Sequence, residues 1–180
     1  MNETEILKKY ENISLSNRNI YEMLDGKVKV LTYPELAKYN HIDDLFYPHN
    51  CFILLYMWKE SYGHWVCVLK HDDRIEFFDP YGGNNLPDEE LKMVPEHFRQ
   101  KSNQAYPHLS WLIYNIGMPI EYNDYKFQKS KSDIKTCGRH CIVRSSLKHL
   151  KLDDYYDLMV ELANKCHLDF DKLVTLFTMK

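Results

Sequence analysis

What this sequence lacks narrows its class before any motif is considered. No apolar run approaches the roughly 20 residues that a membrane-crossing helix needs. The longest, 51–58, has the length of a buried strand, so a soluble protein is expected. Basic charge is not in excess: 23 Lys and Arg stand against 26 Asp and Glu, a net charge of -3 that gives nucleic acid no electrostatic hold. The lysines within 126–135 read as a solvated loop. The start does not read as a signal peptide, and the five cysteines form an odd set without the spacing of a small secreted domain. A reducing compartment is therefore expected. There is no internal repeat, low-complexity tract or interdomain linker.

What remains is a chain of 180 residues with 44% hydrophobic content, enough for one domain with a continuous core. Fourteen tyrosines and eight phenylalanines imply that much of this core is built from large rings. Residues 1–45 read as an N-terminal helical cap, with short helices at 3–10 and after Ser16, and 46–180 as the remaining core. Three strand-like runs follow at 51–58, 64–70 and 74–79, which should form an antiparallel meander. The turn Pro80-Tyr-Gly-Gly83 leads to helical texture over 88–100, interrupted at Pro95, and again over 106–116. Short extended pieces at 119–122 and 125–128 precede a polar loop, then helices at 137–150, 153–165 and 169–179. The class is α+β.

A thiol becomes a nucleophile when it loses its proton, helped by an imidazole and by the positive end of a helix. Cys137 stands where a helix begins, so free N–H groups and the helix dipole favour its thiolate, and Gly138 would leave room for substrate backbone. Read alone, Cys137 is equally a small buried hydrophobe. Cys141, one turn on, reads as packing, and Cys51 and Cys67 as inert strand residues. His64 opens one strand-like run and Asp79 closes the next, positions that a hairpin brings side by side at a sheet edge. Alone, these are a turn histidine and an Asp-Pro turn former. Together, the carboxylate would fix the imidazole tautomer and leave the other ring nitrogen for the thiol. Gln128, otherwise an exposed loop residue, is the candidate amide donor for a tetrahedral oxyanion.

Taken together, His64-Trp65, Phe78-Asp79-Pro-Tyr-Gly82, Gln128 and Thr136-Cys137-Gly138-Arg-His140 resemble the clan of cysteine proteases that joins the adenovirus maturation protease to the ubiquitin-like-protein-specific proteases. The resemblance spans about residues 50–150, and the order His, Asp, Gln, Cys separates it from papain-like enzymes. It implies an adenain-like fold, a small mixed sheet with an antiparallel meander packed against helices and the nucleophile leading a central helix. It also implies His64 as base, Asp79 as orienting acid, Gln128 in the oxyanion hole, Cys137 as nucleophile and Trp65 packed beside the site. Chain length and wording look most like capsid-processing proteases of large DNA viruses and virophages. Cleavage of capsid precursors after glycine, in the virion and host cytoplasm, is the function so implied. The expected partner is a polypeptide substrate, with no cofactor, no metal, no DNA dependence and a monomeric state.

Three other readings share these residues. The same triad serves an isopeptidase that removes ubiquitin or a ubiquitin-like modifier. An acetyltransferase on this scaffold would need a coenzyme A or inositol-phosphate site, of which the sequence gives no sign. A non-enzymatic reading has Cys137, His140, Cys141, Cys166 and His167 holding a structural zinc ion, although a Cys-x-x-Cys knuckle is missing.

Overall fold

The computed structural model describes residues 2–83 and 85–179. A five-stranded open sheet in the order β1-β2-β3-β4-β5 divides the molecule into two packed faces. Its centre is the meander β2 (Cys51–Lys59), β3 (Tyr62–Lys70) and β4 (Ile75–Phe78), paired antiparallel. A parallel strand flanks each side, β1 (Lys29–Thr32) on β2 and β5 (Ile120–Tyr122) on β4. The fold is thus a mixed α+β arrangement.

The near-continuous apolar texture of β2 and β3 is what a strand covered on both faces requires. One face carries Ile53, Leu55, Trp65, Cys67, Leu69 and Phe78. It packs under α2 (Asn17–Met23), α6 (Cys137–Ser146), α7 (Leu152–Cys166) and α8 (Phe170–Thr178). The other face carries Phe52, Leu54, Tyr56, Val66, Val68 and Phe77. It is covered by a 3-10 turn at Tyr33–Lys38, by α3 (Asp43–Phe46) and by α5 (His108–Tyr114). Pro95 breaks the expected 88–100 helix into a 3-10 turn, Glu89–Met93, and a short α4, Glu96–Lys101.

Two expectations need correction. Residues 1–45 are not a purely helical cap, because β1 joins the sheet in parallel with β2, and Ile20, Leu24, Val28, Leu31 and Leu36 are buried across both cores. In this stretch α1 (Glu3–Glu11) packs on α8, and α2 packs on β1 and α6. The extended piece at 125–128 is an irregular segment, tied to the turn after β4 by Phe127 and Gln128 N–H groups that both donate to the Pro80 carbonyl, at 3.0 and 2.9 Å.

Helix α6 is fixed at both ends by buried charge. Near its C-terminus Arg144 donates from Nε and Nη2 to Glu76 on β4 at 2.8 and 2.7 Å, and from Nη1 and Nη2 to the carbonyls of Leu147 and Leu150. His71 completes the shell of Glu76 at 2.8 Å. Near its N-terminus, Asp171 of α8 accepts from Thr136 Oγ1 at 2.6 Å and from His140 Nε2 at 3.0 Å. A buried charge is tolerated when its lone pairs or protons are matched in this way.

Candidate active site

His64 is the third residue of β3 and pairs with Tyr56 of β2. The β3–β4 ladder ends at Cys67 with Phe78, so His64 lies past the end of β4, where the turn after β4 comes alongside. That turn carries Asp79. The hairpin reasoning thus holds in register, although the strand starts earlier than expected: the β2–β3 turn lies at residues 60–61, and Gly63 belongs to the strand. A Cβ on Gly63 would fall 1.7 Å from the Tyr56 carbonyl oxygen, so glycine alone permits the close approach of β2 beside the site.

The imidazole does not stand at an exposed edge. It is 0% exposed, stacked on Tyr81 at a centroid distance of 4.6 Å, with the Trp58 ring nearly parallel on a 6.4 Å separation. Its Nε2 lies 2.8 Å from Asp79 Oδ1, and its Nδ1 has no hydrogen-bond partner. Burial works against a charged ring, but the Asp79 carboxylate and the neighbouring Cys137 sulfur outweigh it and raise the His64 pKa well above the ordinary histidine value. Asp79 is held in turn by the Tyr81 N–H at 2.9 Å and Asn85 Nδ2 at 3.1 Å. Burial pushes this carboxyl up, yet His64 and these donors prevail and keep it below the usual carboxylate range. An aspartate so held accepts the Nε2 proton and leaves Nδ1 as the ring nitrogen that can exchange a proton with its surroundings.

Cys137 is the first residue of α6 and is 8% exposed. Thr136, the residue before it, turns its hydroxyl to Asp171 and makes no side-chain cap, so the first N–H groups of the helix remain open to an anion. Cys137, His64, Gln128, Tyr81 and Trp58 line one cleft of about 270 Å³. Gln128 is buried rather than an exposed loop side chain. Its Oε1 is unpartnered, and its Nε2 makes one long contact, 3.4 Å, to the Ile134 carbonyl, which leaves a donor free. The nine-residue interval from Gln128 to Cys137 folds into a compact loop, with Lys131 N–H on the Lys129 carbonyl, Ile134 N–H on Lys131 and Lys135 N–H on Glu11 of α1. Asp171 joins the two ends of this loop, since its Oδ2 accepts the Lys129 N–H at 3.1 Å.

Trp65 is buried next to Cys137 and donates Nε1–H to the Leu15 carbonyl at 3.1 Å. Gly138 does not open toward substrate. A Cβ there would sit 3.2 Å from Ile20 Cδ1 and from Trp65 Cδ1, so the missing side chain serves the packing of α2 and Trp65 on α6.

No protein-family model matches the chain. Over 174 residues it is 44% identical to the uncharacterized protein V9 of the Sputnik virophage, in an alignment covering 96% of this chain and 98% of that protein. The chain belongs to the protein V9 family.

In this member of the V9 family the five zinc-type residues do not converge. His140 is bound to Asp171, Cys141 is enclosed in the core, and Cys166 is exposed near the end of α7. Among the described residues, the one group of three metal-ligating side chains is a different set, His64, Asp79 and Glu90. Trp58, Tyr81, Asn85 and Glu90 escaped the sequence reading. Tyr81 was legible as part of the Asp-Pro-Tyr turn, whereas Trp58 and Glu90 reach His64 only through the fold. Among the described residues, no helix is long and apolar enough to cross a membrane.

Proposed function

We propose that the chain is a cysteine endopeptidase with the adenain-like fold, in which Cys137, His64 and Asp79 form the triad and Gln128 supplies an oxyanion donor. One observation carries this reading: a buried imidazole bound through Nε2 to a carboxylate keeps Nδ1 unpartnered beside a cysteine that heads a helix. His140 also has an unpartnered Nδ1 but does not line the cleft, whereas His64 shares the cleft with Cys137, and a ring nitrogen so placed can take the thiol proton.

In this mechanism His64 Nδ1 takes the Cys137 proton, and the thiolate attacks the scissile carbonyl carbon. The resulting oxyanion is met by the Cys137 N–H and Gln128 Nε2. The imidazolium then gives its proton to the departing amine, leaving a thioester. Water deprotonated by His64 hydrolyses that thioester and restores the thiol. Asp79 holds ring and tautomer throughout. The virophage relative supports a viral setting, and the substrates proposed for that setting are structural precursors cut after glycine during virion maturation.

The test is incubation of the purified chain with capsid precursors of its virus, followed by sequencing of the new termini. Wild type is expected to cut at defined glycine-containing sites, and Cys137→Ala to leave the precursors whole. Equal cutting by both would refute the reading. Labelling of Cys137 by ubiquitin-like modifiers bearing a C-terminal electrophile, without precursor cleavage, would redirect it to deconjugation.

A further inference from the structure

The donor atoms of His64, Asp79 and Glu90 lie within 4.8 Å of one another, and the proposed triad uses only two of the three. Glu90 arrives on the 3-10 turn Glu89–Met93 and is anchored by Trp58, whose Nε1–H donates to Glu90 Oε1 at 2.6 Å. The imidazole is thus enclosed between the Trp58 and Tyr81 rings, with two carboxylates at its rim. Such a set can hold a metal ion or a proton. A metal would have to displace the proton shared by Nε2 and Asp79, and both carboxylates strengthen the ring's hold on that proton. The arrangement favours an imidazolium.

We propose that Glu90 is a second anionic partner of the His64 imidazolium, positioned by Trp58, and that it keeps the Cys137–His64 ion pair assembled to higher pH than Asp79 alone would. The inference rests on the thiolate mechanism proposed above. The titratable groups facing His64 are Asp79 and Tyr81 from the turn after β4, Glu90 from the 3-10 turn and Cys137 from α6; β2 contributes Trp58, which does not titrate. Glu90 faces His64 and Asp79, with Tyr81 also within its field. Its neighbours Glu89 and Lys92 pair with each other at 2.6 Å. Burial raises the Glu90 carboxyl above its ordinary value, the charge of His64 and the Trp58 N–H oppose that rise in part, and Asp79 adds to it. Glu90 touches no reacting atom, so it is a positioning residue, and its mark is a pH profile.

The experiment follows alkylation of Cys137 by iodoacetamide with mass spectrometry across pH, which requires no substrate. Wild type should show a reactive plateau ending in an alkaline limb where His64 loses its proton. Glu90→Gln should move that limb down by about one pH unit, the lower end of what an opposite charge at this range does. Glu90→Asp should restore most of the shift, and Trp58→Phe should move the limb the same way by less. If Glu90→Gln fails to fold, Trp58→Phe carries the test. A limb unmoved in a folded variant overturns the inference and leaves the mechanism standing. A wild-type profile without the plateau removes the ion pair on which both depend.

Discussion

Asp171 offers the sharpest perturbation of the loop that carries the site. Its two carboxylate oxygens accept three donors, the buried Thr136 Oγ1–H at 2.6 Å and His140 ring at 3.0 Å, and the part-buried Lys129 N–H at 3.1 Å. Thr136 precedes Cys137, and Lys129 follows Gln128, so one 1% exposed side chain sets the separation of the proposed nucleophile and the proposed oxyanion donor. Asp171→Asn keeps the shape but has one acceptor oxygen. That oxygen can serve Thr136 and His140, while the new NH2 confronts the Lys129 N–H donor to donor. A hydrogen bond to a charged group is worth about 1.5–3 kcal/mol, so a loss of about 2 kcal/mol is expected. Urea unfolding should show this as a lower midpoint at unchanged slope. Turnover should fall further than stability does, since misplacement by about 1 Å can cost on the order of a hundredfold. The Lys129 amide should lose its protection from hydrogen exchange. An unchanged midpoint with a protected Lys129 amide would refute the assignment of Asp171 as the clamp.

The other expectations are more direct. Gln128→Ala should lower kcat by on the order of a hundredfold with little effect on the melting temperature, as removal of one oxyanion donor does elsewhere; a near-normal kcat would move that role to another residue. Gly63→Ala should disrupt the β2–β3 register, because its Cβ overlaps the Tyr56 carbonyl, and circular dichroism should report an unfolded or strongly destabilised chain. A folded, stable variant would contradict the close approach of these strands. Glu76 titrates below its ordinary value because Arg144 and His71 outweigh its burial. Its contribution is complete above the unfolded carboxylate value, about 4.3, and is lost as pH falls through the lower folded value. Glu76→Gln should remove that acid-sensitive component and cost about 3 kcal/mol at neutral pH, measured by denaturant unfolding at several pH values.

The elements legible in the sequence were those whose own pattern sufficed. The apolar runs of β2, β3 and β4 and the spacing of α7 and α8 required no tertiary information, and the polarity of the chain at His64 and Asp79 placed both at strand ends. β1 escaped because four residues, Lys29–Thr32, are too few to show alternation, and their pairing is to a distant strand. The enclosure of His64 escaped for a related reason. Trp58 and Glu90 read separately as a strand-end aromatic and a helix-start acid, and only the return of the 3-10 turn over β2 joins them. Gly138 was read for the space it leaves, but sequence does not say which neighbour fills that space, and here Ile20 and Trp65 do. Asp171, some thirty residues beyond the nucleophile, gives no local hint that it ties the loop of Gln128 to the head of α6.

The most direct measurement compares two cysteines within one molecule. Cys137 is 8% exposed, whereas Cys166 lies open on α7. Access alone would make Cys166 the faster to alkylate at mildly acidic pH. An imidazolium-paired thiolate at the head of α6 reverses that order, so Cys137 should react first in wild type and fall behind Cys166 in His64→Ala. Cys166 reacting first in wild type, with His64→Ala indistinguishable from it, would contradict the central claim.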